Sequence, residues 1–534
     1  MLATTAPRRQ ARRLRWIESP WDEQHSDWQR LDQQLPADHR VRLIARVVDS
    51  LDLLARLHDF YAGFGSASWH PALLLKLALY ELDRGVLSPA QWSRDCGELT
   101  PVMWLLRGAR PSRAALYDAR RRLSPELLEW LNQQVLRQAR AESFCPAVRA
   151  SLDGTFVAAR GSRHHLLDLA RLDKRLALLE RAIAGDDEVA TDCGGDPPGE
   201  RPRWMARSPQ GRKNQRRRYQ AARLRLEAKR ARHGQRQARR AKARRKPAER
   251  VVVCVSEPGA AIGKDKSKVV RPLYDVQLVR DLDSPFLLGY GVFAAVTDAG
   301  LLPEMLTRTR RLAGPLPKEM LADAAYASVE DLLACEKEGV TLYAPVKAAA
   351  TAPVETAAVA GAAGLKRQPL PMAEAKGAEE VKRYYGKERF VWDDQTRSYT
   401  CPAGQRLRRV DRGREDRVNG GGVEVERYAT KACASCEKRG ECTRSKHGRK
   451  IKRMADEPLV EALRGRMASE PGKELYKKRK QTIEREFADA REHRGMRRFS
   501  GYGDRQAETQ VGLLVLLANG KSLTRLRQAA TRAA

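Results

Sequence analysis

From Pro20 to about Ala141 apolar residues recur at steps of three and four. Val41, Ile44, Val47, Val48, Leu51 and Leu54 form one such series, and Leu73, Leu74, Leu77, Ala78 and Leu82 form a second after His70-Pro71. That period is helical, and a Pro at the first position fits a helix start because its missing N–H would be unsatisfied there anyway. Further helices are predicted over Ser88 to Cys96, Ser112 to Leu123 and Pro125 to Arg140, each opened by a capping Ser or a Pro. At Val148 the period falls to two. Val148 to Asp153 predicts a short strand, Gly154-Thr155 a turn, and Phe156 to Ala159 the returning strand of a hairpin.

The regular pattern then stops. Residues from about 166 to 250 begin acidic (Asp186, Asp187, Glu188, Asp192, Asp196) and continue into an Arg-dense helical run from Arg201 to Arg250. A run this polar offers no apolar face to bury, so it predicts either a protruding helical pair or an insertion ordered only on nucleic acid. Strands resume at Val251 to Val255, Tyr274 to Val279 and Leu287 to Ala294. Then come a helix over Leu301 to Leu312, the strand Glu319 to Asp323, a helix over Ser328 to Glu338 and the strand Thr341 to Pro345. Strands followed by helices at this spacing predict an α/β layered sheet. Residues 348–380 are Ala-rich with prolines and read as a linker. Helices return from Pro458 to Ala490, and a last apolar helix is predicted over Ala507 to Asn519.

Charge narrows the partner. The 534 residues carry a net charge of +34, too large an excess for an enzyme of neutral metabolites. Lys and Arg that neutralise phosphates release condensed counterions, so such a surface favours nucleic acid. No apolar run approaches the roughly 20 residues a membrane helix needs, and Met1 to Arg15 has no apolar segment behind its basic residues, so neither a membrane span nor a secretory signal is expected. Nine cysteines, an odd number, suit a reduced compartment. Four of them cluster as Cys401, then Cys433-x2-Cys436-x5-Cys442, around a predicted hairpin turning at Asn419 to Gly422. Four such thiolates would bind a structural Zn²⁺ tetrahedrally, with His447 able to replace one; free thiols in a basic loop are the other reading.

Three carboxylates stand out by position. Asp153 ends an apolar strand in Leu152-Asp153-Gly154-Thr155, Asp323 ends another in Leu321-Ala322-Asp323-Ala324-Ala325-Tyr326, and Glu484 lies in Ile483-Glu484-Arg485-Glu486-Phe487 on a basic helix. Strand ends are where α/β enzymes place catalytic groups. Mg²⁺ prefers carboxylate oxygen, and two such ions roughly 4 Å apart can activate an entering oxygen and stabilise a departing one. Glu474, Glu486 and Glu492 compete for the third place. Tyr476, Lys480, Glu484, Phe487 and Arg491 follow one another at steps of three or four along one side of the helix, whereas Glu486 turns about 200° from Glu484.

Each of these segments resembles a signature of the DDE transposases of bacterial insertion sequences, and their order is also that of the family. The resemblance extends to the helical N-terminal segment and to Arg494-Gly495-Met496-Arg497-Arg498-Phe499. It implies an α/β RNase H-like catalytic core behind an all-helical N-terminal domain, here with a basic helical insertion and a small Cys-rich insertion. Asp153, Asp323 and Glu484 would be catalytic and would hold two Mg²⁺ or Mn²⁺ ions. Tyr476, Arg479, Lys480 and Arg491 would serve DNA from the same helix, Arg491 standing where Lys is usual and so changing the phosphate geometry. Arg494, Arg497 and Arg498, with Phe499, would meet a DNA backbone or flipped base.

The domains expected are a basic tail (1–19), a helical DNA-binding and assembly domain (20–145) and a first catalytic segment (146–347) with its insertion. After the linker come a Cys-rich insertion (381–457) and a last catalytic segment (458–534). The implied activity is Mg²⁺-dependent cleavage and strand transfer at terminal inverted repeats. Its partners would be double-stranded DNA at the transposon ends and target, and further copies of the chain on DNA; no organic cofactor is needed. The expected place is the bacterial cytoplasm, at the nucleoid. A nuclease or resolvase of the same fold, and a domesticated DNA-binding protein, are the alternatives.

Overall fold

A computed structural model describes residues 16–53, 55–56, 67–191, 202–238, 245–265, 267–346, 384–416 and 422–533. The predicted linker, the first fifteen residues, and most of the Asn419 to Gly422 turn lie outside them. Two compact units result, one built from residues up to 344 together with 467 onward, the other from residues 345–466.

The first unit opens with β1 (Trp16–Ile17), α1 (Ser26–Gln34), α2 (Arg40–Asp49), β2 (Ser68–Trp69), α3 (Pro71–Asp83), α4 (Pro89–Glu98), α5 (Thr100–Leu105), α6 (Arg113–Arg122) and α7 (Pro125–Ala141). The caps are the predicted ones where a serine can reach. Ser112 and Ser124 accept from the backbone of Ala115 and Leu127, and the His70 ring accepts from Ala72 N. α3 is apolar on nearly every side, and Leu75, Leu77, Leu79 and Leu82 are all buried.

β3 (Arg149–Ala158) follows, and here the structure departs from the predicted hairpin. The chain does not turn at Gly154-Thr155 but runs straight through them as one ten-residue strand. The glycine therefore serves something other than a turn. Next come β4 (Leu166–Leu167), α8 (Leu169–Thr191), α9 (Pro209–Ala238) and β5 (Val253–Cys254). β5 pairs with β4 outside the main sheet, so the predicted Val251 to Val255 strand is no part of the core. The insertion is the helical pair of the two predicted forms, and it does have an apolar face. Leu172, Leu176 and Leu179 of α8 meet Tyr219, Ala222 and Leu226 of α9 in a cluster of their own. These few residues fall at helical spacing among the arginines, which is why composition hid them. Arg212 is buried against Asp186 and also donates to Ala206 O at 3.0 Å.

The main sheet comprises β6 (Ala261–Lys264), β7 (Val270–Asp281), β8 (Leu287–Phe293), β9 (Glu319–Leu321) and β10 (Thr341–Tyr343) with β3, in the order β10-β9-β3-β7-β6 and with β8 also on β7. β9 and β10 run parallel to β3, whereas β7 and β8 form an antiparallel meander with it. That is the RNase H-like arrangement. α10 (Leu302–Ala313) and α11 (Val329–Lys337) are its connections. β7 is buried from Leu273 to Val279, as a strand covered on both faces must be.

The second unit is an antiparallel sheet of β11 (Val391–Asp393), β12 (Ser398–Thr400), β13 (Arg406–Asp416), β14 (Gly422–Ala429) and β15 (Ile451–Met454), with the short α12 (Arg439–Cys442). Phe390, Tyr399, Leu407, Tyr428 and Ile451 form its core. After α13 (Glu457–Ala468) the chain re-enters the first unit as α14 (Glu470–Glu492) and α15 (Asp504–Ala533). Val511 to Leu517 of α15 are all buried, and Asn132 of α7 donates to Gly512 O at 3.1 Å. No helix among the described residues is long and apolar enough to cross a membrane.

Candidate active site

β3 and β9 lie side by side and parallel, with Ser151 opposite Leu321. Asp153 and Asp323 each stand two residues further on, at one edge of the sheet. β9 ends at Leu321, and the Asp323 side chain then caps a turn of 3-10 helix, Ala324–Tyr326, by accepting from Ala325 N at 2.6 Å. Burial pushes the Asp153 carboxyl above its ordinary range against the pull of Arg479, and the charges of Asp323 and Asp298 push it the same way. The two predicted aspartates are thus electrostatic neighbours, and a third, unforeseen carboxylate joins them.

Arg479 of α14 holds Asp153 in an ion pair of 3.0 Å, with both side chains largely buried. It is a protein cation on the acid expected to hold a metal cation. The buried stripe of α14 runs through Arg479, Ile483, Phe487 and Ala490. Glu484, one residue past Ile483, is exposed, and among the described residues no hydrogen bond or ion pair occupies its carboxylate. Glu486 is committed elsewhere, to Arg280 at 3.1 Å. Among the described residues no three His, Cys, Asp or Glu side chains already stand close enough together to hold an ion. The chemistry of the set still suits a hard divalent ion, because Asp153 and Asp323 share an edge and Asp153 already carries a positive group in contact.

The auxiliary residues divide. Tyr476 is half-buried and donates from its hydroxyl to Ala322 O at 3.1 Å, so its partner here is the backbone just before Asp323 rather than a base. Arg491 donates to the Thr155 hydroxyl, which ties α14 to the Asp-Gly-Thr segment. Arg494 is held by Asp83 and, at 2.9 Å, by Asp489, so it is not free for a phosphate. Arg497 is exposed and paired with Glu492, and Arg498 is exposed. The side chain of Lys480 lies outside the described set. Phe499 corrects the expectation of a base contact: it is 2% exposed and packs edge-on against Tyr274 at 5.8 Å.

Sequence reasoning missed three residues around Asp153. Gln277 and Asp275 on β7 are fully buried, and Gln277 Nε2 donates to Asp275 Oδ1 at 2.9 Å and to Asp298 Oδ1 at 2.8 Å. Burial first, then the nearby Asp298, drives the Asp275 carboxyl upward. A signal was present: Asp275 and Gln277 alternate on one face of an otherwise apolar strand, where buried polar groups require partners. Asp298, in a loop before α10, carried no such mark.

In the second unit Cys401, Cys433, Cys436 and Cys442 border one pocket with Tyr385, Phe390 and Arg449, whereas His447 is not in its lining. All four are free thiols. Burial pushes the Cys442 thiol up, the other three sulfurs adding to it and Arg449 opposing. Gly448, at φ 83°, brings the chain so close that a Cβ there would lie 2.7 Å from Cβ of Cys433. Four soft donors around one pocket suit zinc by type.

Comparison with known families meets this geometry at both ends of the chain. Residues 29–122 match a family model described as a transposase domain (DUF772), and residues 400–524 match one described as a transposase DDE domain. No curated protein matches. These two matches, N-terminal then C-terminal, are consistent with a DDE transposase of an insertion sequence, and they bear out the resemblance read from the sequence. DNA transposition is the general activity they indicate and DNA the partner. Glu484 lies inside the second matched segment; Asp153 and Asp323 lie outside both.

Proposed function

We propose that this chain binds the terminal inverted repeats of its own insertion sequence, cuts them with divalent metal, and joins the freed 3′ ends to target DNA. The observation that carries this reading is the placement of Asp153 on β3 and of Asp323 just past the end of the adjacent parallel β9, each two residues beyond the paired Ser151 and Leu321. Asp153, Asp323 and Glu484 would hold Mg²⁺ or Mn²⁺, which when bound polarises the scissile phosphate and makes a hydroxyl nucleophilic near neutral pH. Arg479 pulls the buried Asp153 carboxyl toward its ionised form, against burial, and would give place there to a bound metal ion. Tyr476 and Arg491 hold the Glu helix to the strands that carry the two aspartates, so the third acid is delivered on a braced element. Exposed Arg498, and the basic face of α9, are available to DNA phosphates.

A strand-transfer assay tests this directly. Linear DNA carrying the segments that flank the gene should be nicked at its 3′ ends and joined to a plasmid in Mg²⁺. Cleavage without joining would favour the nuclease or resolvase reading, and binding without cleavage the domesticated one.

We also propose that the four clustered cysteines bind one structural zinc. Metal supplies folding energy to a unit with a small core. Elemental analysis should find about one zinc per chain, and Cys436→Ser should loosen residues 384–466 first while part of the cleavage activity survives. Metal-free protein with four freely alkylated thiols and an undisturbed fold would remove zinc.

A further inference from the structure

The glycine of Asp153-Gly154-Thr155 is neither at a turn nor at positive φ, and its neighbour across the sheet explains it. Gly154 on β3 stands opposite Gln277 on β7. The Gln277 side chain crosses over Gly154, with the Asp298 carboxylate it bonds beside it: a Cβ at 154 would lie 2.1 Å from Gln277 Nε2, 2.3 Å from Asp298 Oδ1 and 2.9 Å from Gln277 Cδ. What the amide reaches on the far side is Tyr326, whose hydroxyl donates to Gln277 Oε1. Tyr326 is fully buried and closes the 3-10 turn that Asp323 caps, its N–H donating to Asp323 O at 3.2 Å. The amide therefore ties β7 to the turn behind β9 across the bare backbone next to Asp153. Only one amide orientation serves, since Nε2 faces two carboxylates and Oε1 faces a hydroxyl.

We propose that Gln277 is a positioning residue that fixes Asp323 relative to Asp153, and that residue 154 is glycine so that its side chain can pass. The inference rests on the metal-holding role proposed for the two aspartates. Gln277 touches neither; it acts through Tyr326 and the turn.

The test uses full-length protein and Mn²⁺ as the probe, followed by electron paramagnetic resonance and by cleavage rate against Mn²⁺ concentration. Gln277→Met keeps the shape and removes the hydrogen bonds. It should weaken Mn²⁺ binding about tenfold or more, with DNA affinity unchanged and cleavage recovering as Mn²⁺ is raised. Tyr326→Phe should shift Mn²⁺ affinity the same way, and the double variant should be no worse than Gln277→Met alone, because both remove one link. Should Gln277→Met not fold, Tyr326→Phe carries the same reading. A second arm needs neither metal nor DNA: Gly154→Ala should lower the melting temperature in the wild-type background and much less in a Gln277→Ala, Asp298→Ala background, where both side chains that a Cβ would meet are gone. Wild-type Mn²⁺ affinity in Gln277→Met or in Tyr326→Phe, or equal penalties for Gly154→Ala in both backgrounds, would overturn the proposal. A wild-type protein that binds no Mn²⁺ would overturn the metal reading itself, and this one with it.

Discussion

Asp153→Asn, Asp323→Asn and Glu484→Gln should each abolish metal-dependent strand cleavage, by about three orders of magnitude or more, while DNA binding stays nearly intact. A bound divalent ion contributes several kcal/mol to the transition state, and about 1.4 kcal/mol is tenfold in rate. An amide keeps the shape of each side chain and loses the charge that holds the ion. Glu486→Gln is the control on the helix. Its carboxylate is spent on Arg280, so the change should cost stability, as breaking a largely buried pair does, and leave the chemistry near wild type. Gel assays of nicking and joining, beside a binding titration on the same DNA, separate the two outcomes. Normal cleavage by Glu484→Gln with loss in Glu486→Gln would move the third acid two residues along α14.

The second large effect is expected from α9. Arg218, Arg225, Arg232 and Arg236 are all exposed, and no ion pair or hydrogen bond engages them among the described residues. Their spacings of seven, seven and four residues return to nearly the same helical angle, so they form one stripe about 27 Å long. The stripe is stiff because the neighbouring face is packed: Tyr219, Ala222 and Leu226 meet α8, Arg223 pairs with Asp173 of α8 at 2.7 Å, and half-buried Lys229 donates to Ala260 O at 2.7 Å. Replacing all four by Gln should make the slope of log affinity against log salt shallower by about 3.6, at roughly 0.9 per phosphate contact. At low salt the loss is greatest, and over a fourfold span of salt the advantage of the wild type should shrink about 150-fold. Fluorescence anisotropy on unrelated duplexes is the right measurement, since phosphate contacts carry no sequence information. An unchanged slope would mean that α9 never reaches DNA.

How far the sequence could be read depended on whether a residue's neighbours were local. α2 and α7 were legible because each buries one face at regular steps, and α3, α6 and α7 because they open with a visible Pro or Ser. The sequence also marked Asp323, just past the end of an apolar strand, and Asp153, whose strand runs on beyond it. Gly154 was misread as a turn because glycine serves turns and close approach equally well, and only the partner across the sheet, Gln277, distinguishes them. The buried stripe of α14 was not legible for a related reason. Steps of three and four fit the series through Glu484 as well as the one through Arg479, Ile483 and Phe487, and tertiary packing buries the latter. Phe499, read as an aromatic for bases, turned inward because Tyr274 lies 225 positions earlier and no local pattern links them.

The C-terminal helix gives the protein an order of synthesis. α15 is the common floor of the first unit: Gly520 nestles against Val47 of α2, Asn519 bonds the backbone of Leu287 at 2.8 and 2.9 Å, Lys521 reaches Asp83 at 2.6 Å, and Arg527 pairs with Glu142. A ribosome delivers this helix after every element it packs on. Until it emerges, α7 and β8 have α10 and β7 against them but lack the helix both close on, and the growing chain holds its helices and its sheet as unfinished parts. The first unit is therefore unassembled for most of its translation, and truncated products should be ready substrates for proteases rather than partly active enzymes.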